Sequence, residues 1–285
     1  RDLASVSYST ILIKDSALND VYVVVDSIAS EVSSRVNHFD SRSLSRILFD
    51  VAKSGRPQQH LFSVASGYLC ELDLNGCAPS EMANILYSFA TSDEANPAIF
   101  RKIANAILSQ YTSATRLAWY APSDFTRIMW SFARAEIVTS DEFQRKMKNA
   151  LFQKLTRIHD ALFTLEDFSD LIWALSKSFR DKSSLLLKIE SRINLAMKTS
   201  QYQAKSLATL AWTCCDANIQ LRDVFSGEDS LFMTACVDEA DNFCDEELRK
   251  LYAFHLWQQQ LNCDGLPPSL HDKCFEAQLL PSNLL

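Results

Sequence analysis

Polar side chains able to bind a phosphate or a nucleobase recur in this sequence at fixed distances from an aromatic residue. With the aromatic residue as position zero, positions −3, +1 and +4 are predicted to share one helical face, because residues three and four apart are helical neighbours. This face carries six basic and three acidic groups in a chain of net charge −7. Its candidate binding residues are Arg46, Lys53, Asn84, Arg127, Ser131, Arg134, Lys177 and Arg249.

These residue types fit the recognition of a single RNA strand. Arginine and lysine would bind phosphates, and Asn84 could read the edge of a base. Repeated units would align such side chains along one surface, so that each unit meets a successive part of the strand. The alternative is that the face is only the solvated side that every amphipathic helix must have. The sequence leaves both interpretations open.

The aromatic residues at position zero invite a second chemical interpretation, in which each ring stacks on one base. Their neighbours are apolar, however, and large rings among apolar residues are usually buried. We therefore predict that the rings belong to the core and keep the repeated units in register. The six residues are Phe49, Tyr87, Trp130, Trp173, Trp212 and Tyr252.

Four residues near the end of the sequence form the best candidate for a metal site. His255, Cys263, His271 and Cys274 are ligand types that zinc accepts, within 20 residues. They lack the short ligand pair at each end that zinc sites usually have, so we predict buried thiols and surface imidazoles. The sequence also lacks the glycine-rich phosphate loops and the nucleophile and metalloprotease motifs of common enzymes. We expect no metal, no cofactor and no catalysis.

The elements that carry these residues are copies of one unit. The segments DFTRIMWSFARAE and DFSDLIWALSKSF share a pattern, and six related aromatic positions follow at intervals of 38, 43, 43, 39 and 40 residues. Apolar residues recur at helical spacing in each copy, and a second amphipathic segment lies between successive copies. This period is typical of two-helix repeats. The sequence predicts an all-α fold, an α-solenoid of about six two-helix repeats of 38–43 residues.

Local signals predict where the helices begin and how the chain is divided. Pro79 and Pro122 mark first turns, and Thr164 with Asp167 forms a capping box. Residues 1–20 are expected to be an extended arm, 21–266 the solenoid, and 267–285 a capping helix and tail. Residues 21–32 are predicted as a helix despite their β-branched composition, and 269–280 as the last helix.

Composition narrows the class of protein. Hydrophobic residues make up 47% of the chain, and only 5 Gly and 7 Pro occur in 285 residues, which favours long helices over turn-rich sheets. The 8 Cys include no Cys-x-x-Cys pair and are expected to be free thiols in a reducing compartment. No apolar run is long enough for a membrane span, so we expect no membrane insertion. Because the chain starts at Arg1, we expect that any targeting peptide has been removed.

The repeated segments resemble a known group of proteins. LSRILFDVAKSG, MANILYSFA, FTRIMWSFARAE, FSDLIWALSKSF and LATLAWTCCDAN are similar to the octotricopeptide-like helical repeats of organellar RNA-binding proteins, which are related to the repeats preceding the RAP domain in FAST-kinase-like proteins. The resemblance covers about residues 36–280. The sequence has neither the Pro-Pro-Pro-Glu-Trp signature of the better-defined repeats nor a RAP domain. It therefore offers no basis for nuclease activity.

The resemblance implies a soluble or complex-bound protein of a mitochondrion or plastid. It implies binding to organellar mRNA or rRNA during RNA processing, stability or translation, or in association with a ribosome. Together with the basic residues of the polar face, this makes a non-catalytic protein that binds single-stranded or structured RNA our first hypothesis. The alternative is a scaffold that binds only protein subunits of a large organellar complex, which the net charge of −7 favours. Neither hypothesis involves a small-molecule substrate.

Overall fold

A computed structural model describes residues 18–92, 94–110, 120–156, 163–178, 183–199, 202–226 and 230–279. This part of the chain is entirely helical apart from loops, as the sequence predicted. The predicted arm of residues 1–20 lies almost wholly outside the described residues. The helices are α1 (Leu18–Ser34), α2 (Ser41–Lys53), α3 (Gln59–Glu71), α4 (Pro79–Thr91), α5 (Pro97–Gln110), α6 (Pro122–Arg134), α7 (Asp141–Thr156), α8 (Leu165–Ser178), α9 (Ser183–Thr199), α10 (Ala204–Asp216), α11 (Arg222–Phe225), α12 (Leu231–Asp238), α13 (Asp245–Gln260) and α14 (Pro268–Leu279), with a 3₁₀ turn at Val36–His38.

The helices begin at the signals found in the sequence. Pro79 and Pro122 stand in the first turns of α4 and α6, where a missing N–H is tolerated. The capping box is present at the start of α8: the Asp167 amide donates to Thr164 Oγ1 at 3.1 Å, and the Thr164 amide donates to Asp167 Oδ2 at 2.9 Å. The chain therefore enters this helix through local hydrogen bonds that its own residues supply.

The chain divides into two compact units, residues 1–154 and 155–285. In the first unit, α2, α4 and α6 pack side by side and form what we call the A layer, while α1, α3 and α5 form a second layer. The A helices run in parallel, since hydrogen bonds join equivalent turns: Ser41 Oγ donates to Glu81 Oε2 at 3.0 Å, and Arg127 Nη1 donates to Asn84 Oδ1 at 2.8 Å. The partners are 40 and 43 residues apart, which is the sequence period.

The second unit repeats this arrangement with α8, α10 and α13, which we call its A layer. Trp257 Nε1 donates to Asn218 Oδ1 at 3.2 Å, joining the C-terminal ends of α10 and α13. Helix α14 packs on α13 in the opposite direction, because Arg249 near the start of α13 donates to the carbonyl of Ala277 near the end of α14 at 3.1 Å. Helix α14 thus lies along the side of α13 that faces away from α10.

The core lies between the two layers and is built from a position that the sequence pattern did not single out. The residues two places after each aromatic are buried, and among them Phe89 and Phe132 pack edge-on against Phe62 and Phe100 of the second layer, with ring centroids 5.4 and 5.3 Å apart. These contacts join α4 to α3 and α6 to α5. Within the described residues, no helix is both long enough and apolar enough to cross a membrane.

Candidate functional site

The aromatic residues at position zero form a row on the A layer of the first unit. The ring centroids of Phe49 and Tyr87 are 5.2 Å apart, and those of Tyr87 and Trp130 are also 5.2 Å apart. The rings are half-buried, and in the second unit Trp212 is 41% exposed. The prediction that position zero is the core is therefore wrong: the rings stabilise contacts between A helices, while the buried position lies two residues later.

The basic residues of the predicted face lie beside these rings, not on the opposite side of the helix. Positions −3 and +4 are helical neighbours of position zero, so the same spacing that groups the polar residues also places them next to the aromatic residue. The Arg127 guanidinium lies 4.7 Å from the Phe49 ring centroid and Lys53 Nζ lies 5.3 Å from it. In the second unit, Lys177 Nζ lies 5.8 Å from the Trp173 centroid. These are cation–π distances.

This packing counts against stacking of bases on the row in the first unit. The Tyr87 ring contacts both Phe49 and Trp130, and Phe49 is also approached by two cations. A base could stack on these rings only by displacing a ring or cation that already contacts them. A ligand would therefore meet the charged ends of the basic side chains, while the rings lie beneath these side chains and contact them.

Position +1 is buried and does not belong to the exposed face. Ser131 is fully buried, and its hydroxyl donates to the carbonyl of Arg127 at 2.7 Å. Ser88 does the same with the carbonyl of Asn84 at 2.6 Å, and Asp50 is 6% exposed. The predicted place of Ser131 on the polar face is wrong, because its side chain is buried and its hydroxyl is bonded within its own helix.

Arg127 links three helices of the first unit. It lies on α6, donates to Asn84 of α4, reaches over the Phe49 ring of α2, and has an ion pair with Asp124 at 3.6 Å. Its side chain is 23% exposed, so these contacts are partly shielded from water. A guanidinium engaged in this way acts first as a structural link, and binding a phosphate would require it to give up contacts.

A groove of about 520 Å³ runs between the N-terminal halves of α2 and α4. The guanidinium-bearing Arg42 and Arg46 are exposed beside it, and Asn84 and Glu81 line its other side. Glu81 already accepts a hydrogen bond from Ser41. Sequence reasoning missed Arg42, although it lies seven residues before Phe49, which is two helical turns along the same face. Extending the spacing by one heptad would have found it.

The remaining candidates divide between the two units. Arg46, Lys53 and Arg134 are exposed on the A layer of the first unit, where Asn84 and Arg127 are half-buried. In the second unit Lys177 is exposed, and Arg249 is half-buried with its Nε bonded to the Ala277 carbonyl. The structure thus brings five of the eight predicted residues together on one surface, which we call the basic face: Arg46, Lys53, Asn84, Arg127 and Arg134, extended by Arg42.

Charge is divided unequally between the two units. Residues 1–154 contain 16 basic and 16 acidic residues, whereas residues 155–285 contain 12 basic and 19 acidic residues. The net charge of −7 therefore belongs to the second unit. The overall acidity of the chain therefore does not oppose binding of a polyanion by the first unit, which carries the basic face.

The four His and Cys residues with metal-ligand side chains make other contacts, and the prediction that their imidazoles lie on the surface is wrong for His255. His255 is buried and its Nδ1 accepts a hydrogen bond from the Leu266 amide at 3.0 Å, while burial and the nearby His271 lower its pKa below the ordinary value. Gln220 donates to Cys263 Sγ at 2.8 Å, and burial raises the pKa of the Cys274 thiol to about 12. Among the described residues, no three His, Cys, Asp or Glu side chains are grouped as metal ligands.

Comparison of the chain with models of known protein families and with curated proteins finds no match.

Proposed function

We propose that this chain is a non-catalytic helical-repeat protein that binds single-stranded RNA on the basic face of its first unit. The observation that carries the proposal is the clustering of exposed Arg42, Arg46, Lys53 and Arg134 on one layer of parallel helices. Phosphates along a strand would bind these groups, and the groove beside Arg42 and Arg46 would hold part of a nucleotide. The resemblance of the repeats supports a role in mitochondrial or plastid RNA metabolism, alone or within a ribonucleoprotein complex.

The arrangement supports a single strand over a duplex. The cations lie on α2 and α6, on either side of α4, which contributes Asn84. A strand bound along such parallel repeat helices would meet them in turn. The half-buried rings beneath them hold the cationic side chains in place by cation–π contact and reduce the conformational freedom lost on binding. Affinity would come mainly from phosphates, so it should be strongly salt-dependent and weakly sequence-dependent.

The proposal is tested by fluorescence anisotropy. The full chain is titrated into a labelled 16-nucleotide single-stranded RNA at two salt concentrations. Arg46→Glu combined with Arg134→Glu should weaken binding at least tenfold, about 1.4 kcal/mol, and reduce the steepness of the salt dependence. Arg46→Glu and Arg134→Glu are also made singly, and the matched control for each single change is Arg101→Glu, which replaces an exposed cation of α5 in the second layer. It should change affinity by less than about twofold.

Two results would overturn the proposal. One is the absence of measurable binding by the unmodified chain at low salt, where phosphate contacts are strongest. The other is an equal loss of affinity in the Arg101 control, which would mean that only the total charge matters. A circular dichroism melt of each variant separates lost binding from lost folding, and all three substituted side chains are exposed.

A further inference from the structure

Helices α10, α13 and α14 of the second unit carry an exposed apolar surface. Trp212, Leu256 and Phe275 are 41%, 42% and 44% exposed. Tyr252 lies among them, with its ring centroid 5.9 Å from that of Phe275, and it precedes Leu256 by one helical turn. Because α10, α13 and α14 pack in sequence, these side chains lie on neighbouring helices. We call this surface, made of Trp212, Tyr252, Leu256 and Phe275, the apolar patch.

Position +4 becomes apolar at the last repeat. It is Lys53 in α2, Arg134 in α6 and Lys177 in α8, but Leu256 in α13. Burial of an exposed leucine and two exposed aromatic side chains against another apolar surface would be favourable, because it removes apolar area from water. Contiguous surfaces of this kind on a folded chain usually mark an interaction site.

Acidic side chains surround the apolar patch. Asp216 follows Trp212 by one turn on α10, and Asp272 and Glu276 flank Phe275 on α14. All three are exposed. Other acids of this unit have cationic partners, such as Glu246 with Lys250 at 2.6 Å, whereas Asp216 and Glu276 form no ion pair within the described part of the chain. Asp272 has only the His271 ring, at 3.1 Å.

We infer that the apolar patch binds a basic amphipathic helix of a partner protein. Such a helix would place apolar side chains spaced three and four residues apart against Trp212, Leu256 and Phe275, and its lysines or arginines against the acidic rim. A second copy of this chain would bring two acidic rims together, which like charge opposes. An anionic membrane surface is opposed for the same reason. This inference does not depend on RNA binding, since it uses different residues in a different unit.

A designed peptide provides the probe. It is a 16-residue helix with leucine on one face and lysine on the other, compared with two controls: the same peptide with glutamate for lysine, and a lysine peptide of scrambled order. Binding to the full chain is followed by anisotropy of a dye on the peptide. The amphipathic lysine peptide should bind at least tenfold more tightly than either control, because only it matches both the apolar patch and the rim.

Variants locate the binding surface. Leu256→Ser and Phe275→Ser should each weaken the lysine peptide at least fivefold, and Asp216→Lys with Glu276→Lys should weaken it at least tenfold. The matched controls are Leu187→Ser, a 66% exposed leucine on α9, and Glu71→Lys, an exposed acid on α3 of the first unit. Both should leave affinity within twofold. Testing Leu256 and Phe275 separately guards against a loss of folding in either variant, which a thermal melt would show.

Three outcomes would overturn the inference. Equal affinity for the lysine and glutamate peptides would remove the role of the acidic rim. Equal losses in the Leu187 control would show that any exposed leucine suffices. Sedimentation showing a dimer of the unmodified chain that Leu256→Ser dissociates would assign the patch to self-association. Loss of RNA binding in the basic-face variants would leave this result unchanged, so the two proposals can fail separately.

Discussion

From the sequence, Arg127 could be either a ligand-binding cation or a structural contact, and in the folded chain it makes structural contacts. Its spacing from Trp130 predicts an exposed cation on a ligand-binding face. In the structure the guanidinium donates to Asn84, pairs with Asp124 and covers the Phe49 ring, so that it joins three A helices. These contacts use the planar shape of the guanidinium as well as its charge, which a lysine cannot reproduce. Stability and binding can therefore be separated at this residue.

Substitution of Arg127 by lysine should lower the free energy of unfolding by about 1–2 kcal/mol, because the hydrogen bond to Asn84 and the contact with the Phe49 ring are lost while the charge remains. Urea denaturation followed by circular dichroism measures this change. Arg101→Lys on α5 is the control, and an exposed conservative change of this kind should stay within about 0.5 kcal/mol. If Arg127→Lys leaves stability unchanged but weakens RNA binding tenfold, Arg127 is a ligand contact and the structural role assigned to it is incorrect.

At the scale of single residues, the sequence predicts which positions matter better than it predicts where they point. The interval between aromatics and the polar residues around them are visible without a structure. The burial of Ser131 cannot be predicted from the sequence, because serine occurs on both polar and apolar helix faces. Only the structure shows that its hydroxyl donates to the Arg127 carbonyl and is satisfied inside the protein. The half-burial of the rings also depends on the neighbouring A helix, which lies about 40 residues away in sequence.

At the scale of the elements, three A helices, α2, α6 and α10, end with the same backbone conformation. The sixth residue after the aromatic has a left-handed conformation at Gly55, Glu136 and Asn218, with φ of 69°, 53° and 49°. Each follows directly after the C-cap of its helix, where such a residue ends the helix and turns the chain toward the next element. Glycine and asparagine adopt this conformation readily, whereas a glutamate is strained in it.

Glu136→Gly should therefore stabilise the chain by about 0.5–1 kcal/mol, since relief of the left-handed strain exceeds the entropy gained by the unfolded glycine. The measurement is the urea midpoint at constant slope. Asn218→Gly, at the equivalent end of α10, should give a smaller change because asparagine tolerates this conformation. A lower midpoint for Glu136→Gly would mean that the exposed glutamate side chain contributes more than its backbone costs.

The helices themselves follow closely from the sequence because their signals are local. Periodic apolar residues indicate the helices, the prolines mark the first turns of α4 and α6, and the Thr164 capping box marks the start of α8. The helix predicted for residues 21–32 forms as α1, although its valines favour strands, because packing against α3 overrides local preference. The short helix Arg222–Phe225 was not predicted, because four residues are too few to show a period.

At the scale of the whole molecule, net charge is a misleading average. The sequence total of −7 favours a scaffold that avoids nucleic acid, yet all of this excess belongs to residues 155–285. The division into units could not be read from the repeat pattern, because the period runs through both. When the units are considered separately, the two proposed ligands use different surfaces. RNA is proposed for the basic face of the first unit, and a basic helix for the apolar patch of the second.

This division predicts where each ligand protects the backbone. Binding at 100 times the dissociation constant stabilises the bound form by about 2.7 kcal/mol, and in a repeat protein this stabilisation is greatest in the units that touch the ligand. Hydrogen–deuterium exchange of the full chain with the 16-nucleotide RNA should therefore slow exchange up to about a hundredfold in α2, α4 and α6. Helices α10, α13 and α14 should exchange at their unliganded rates. The lysine peptide should produce the reverse pattern, and equal protection of both units by RNA would contradict the assignment of the strand to the basic face.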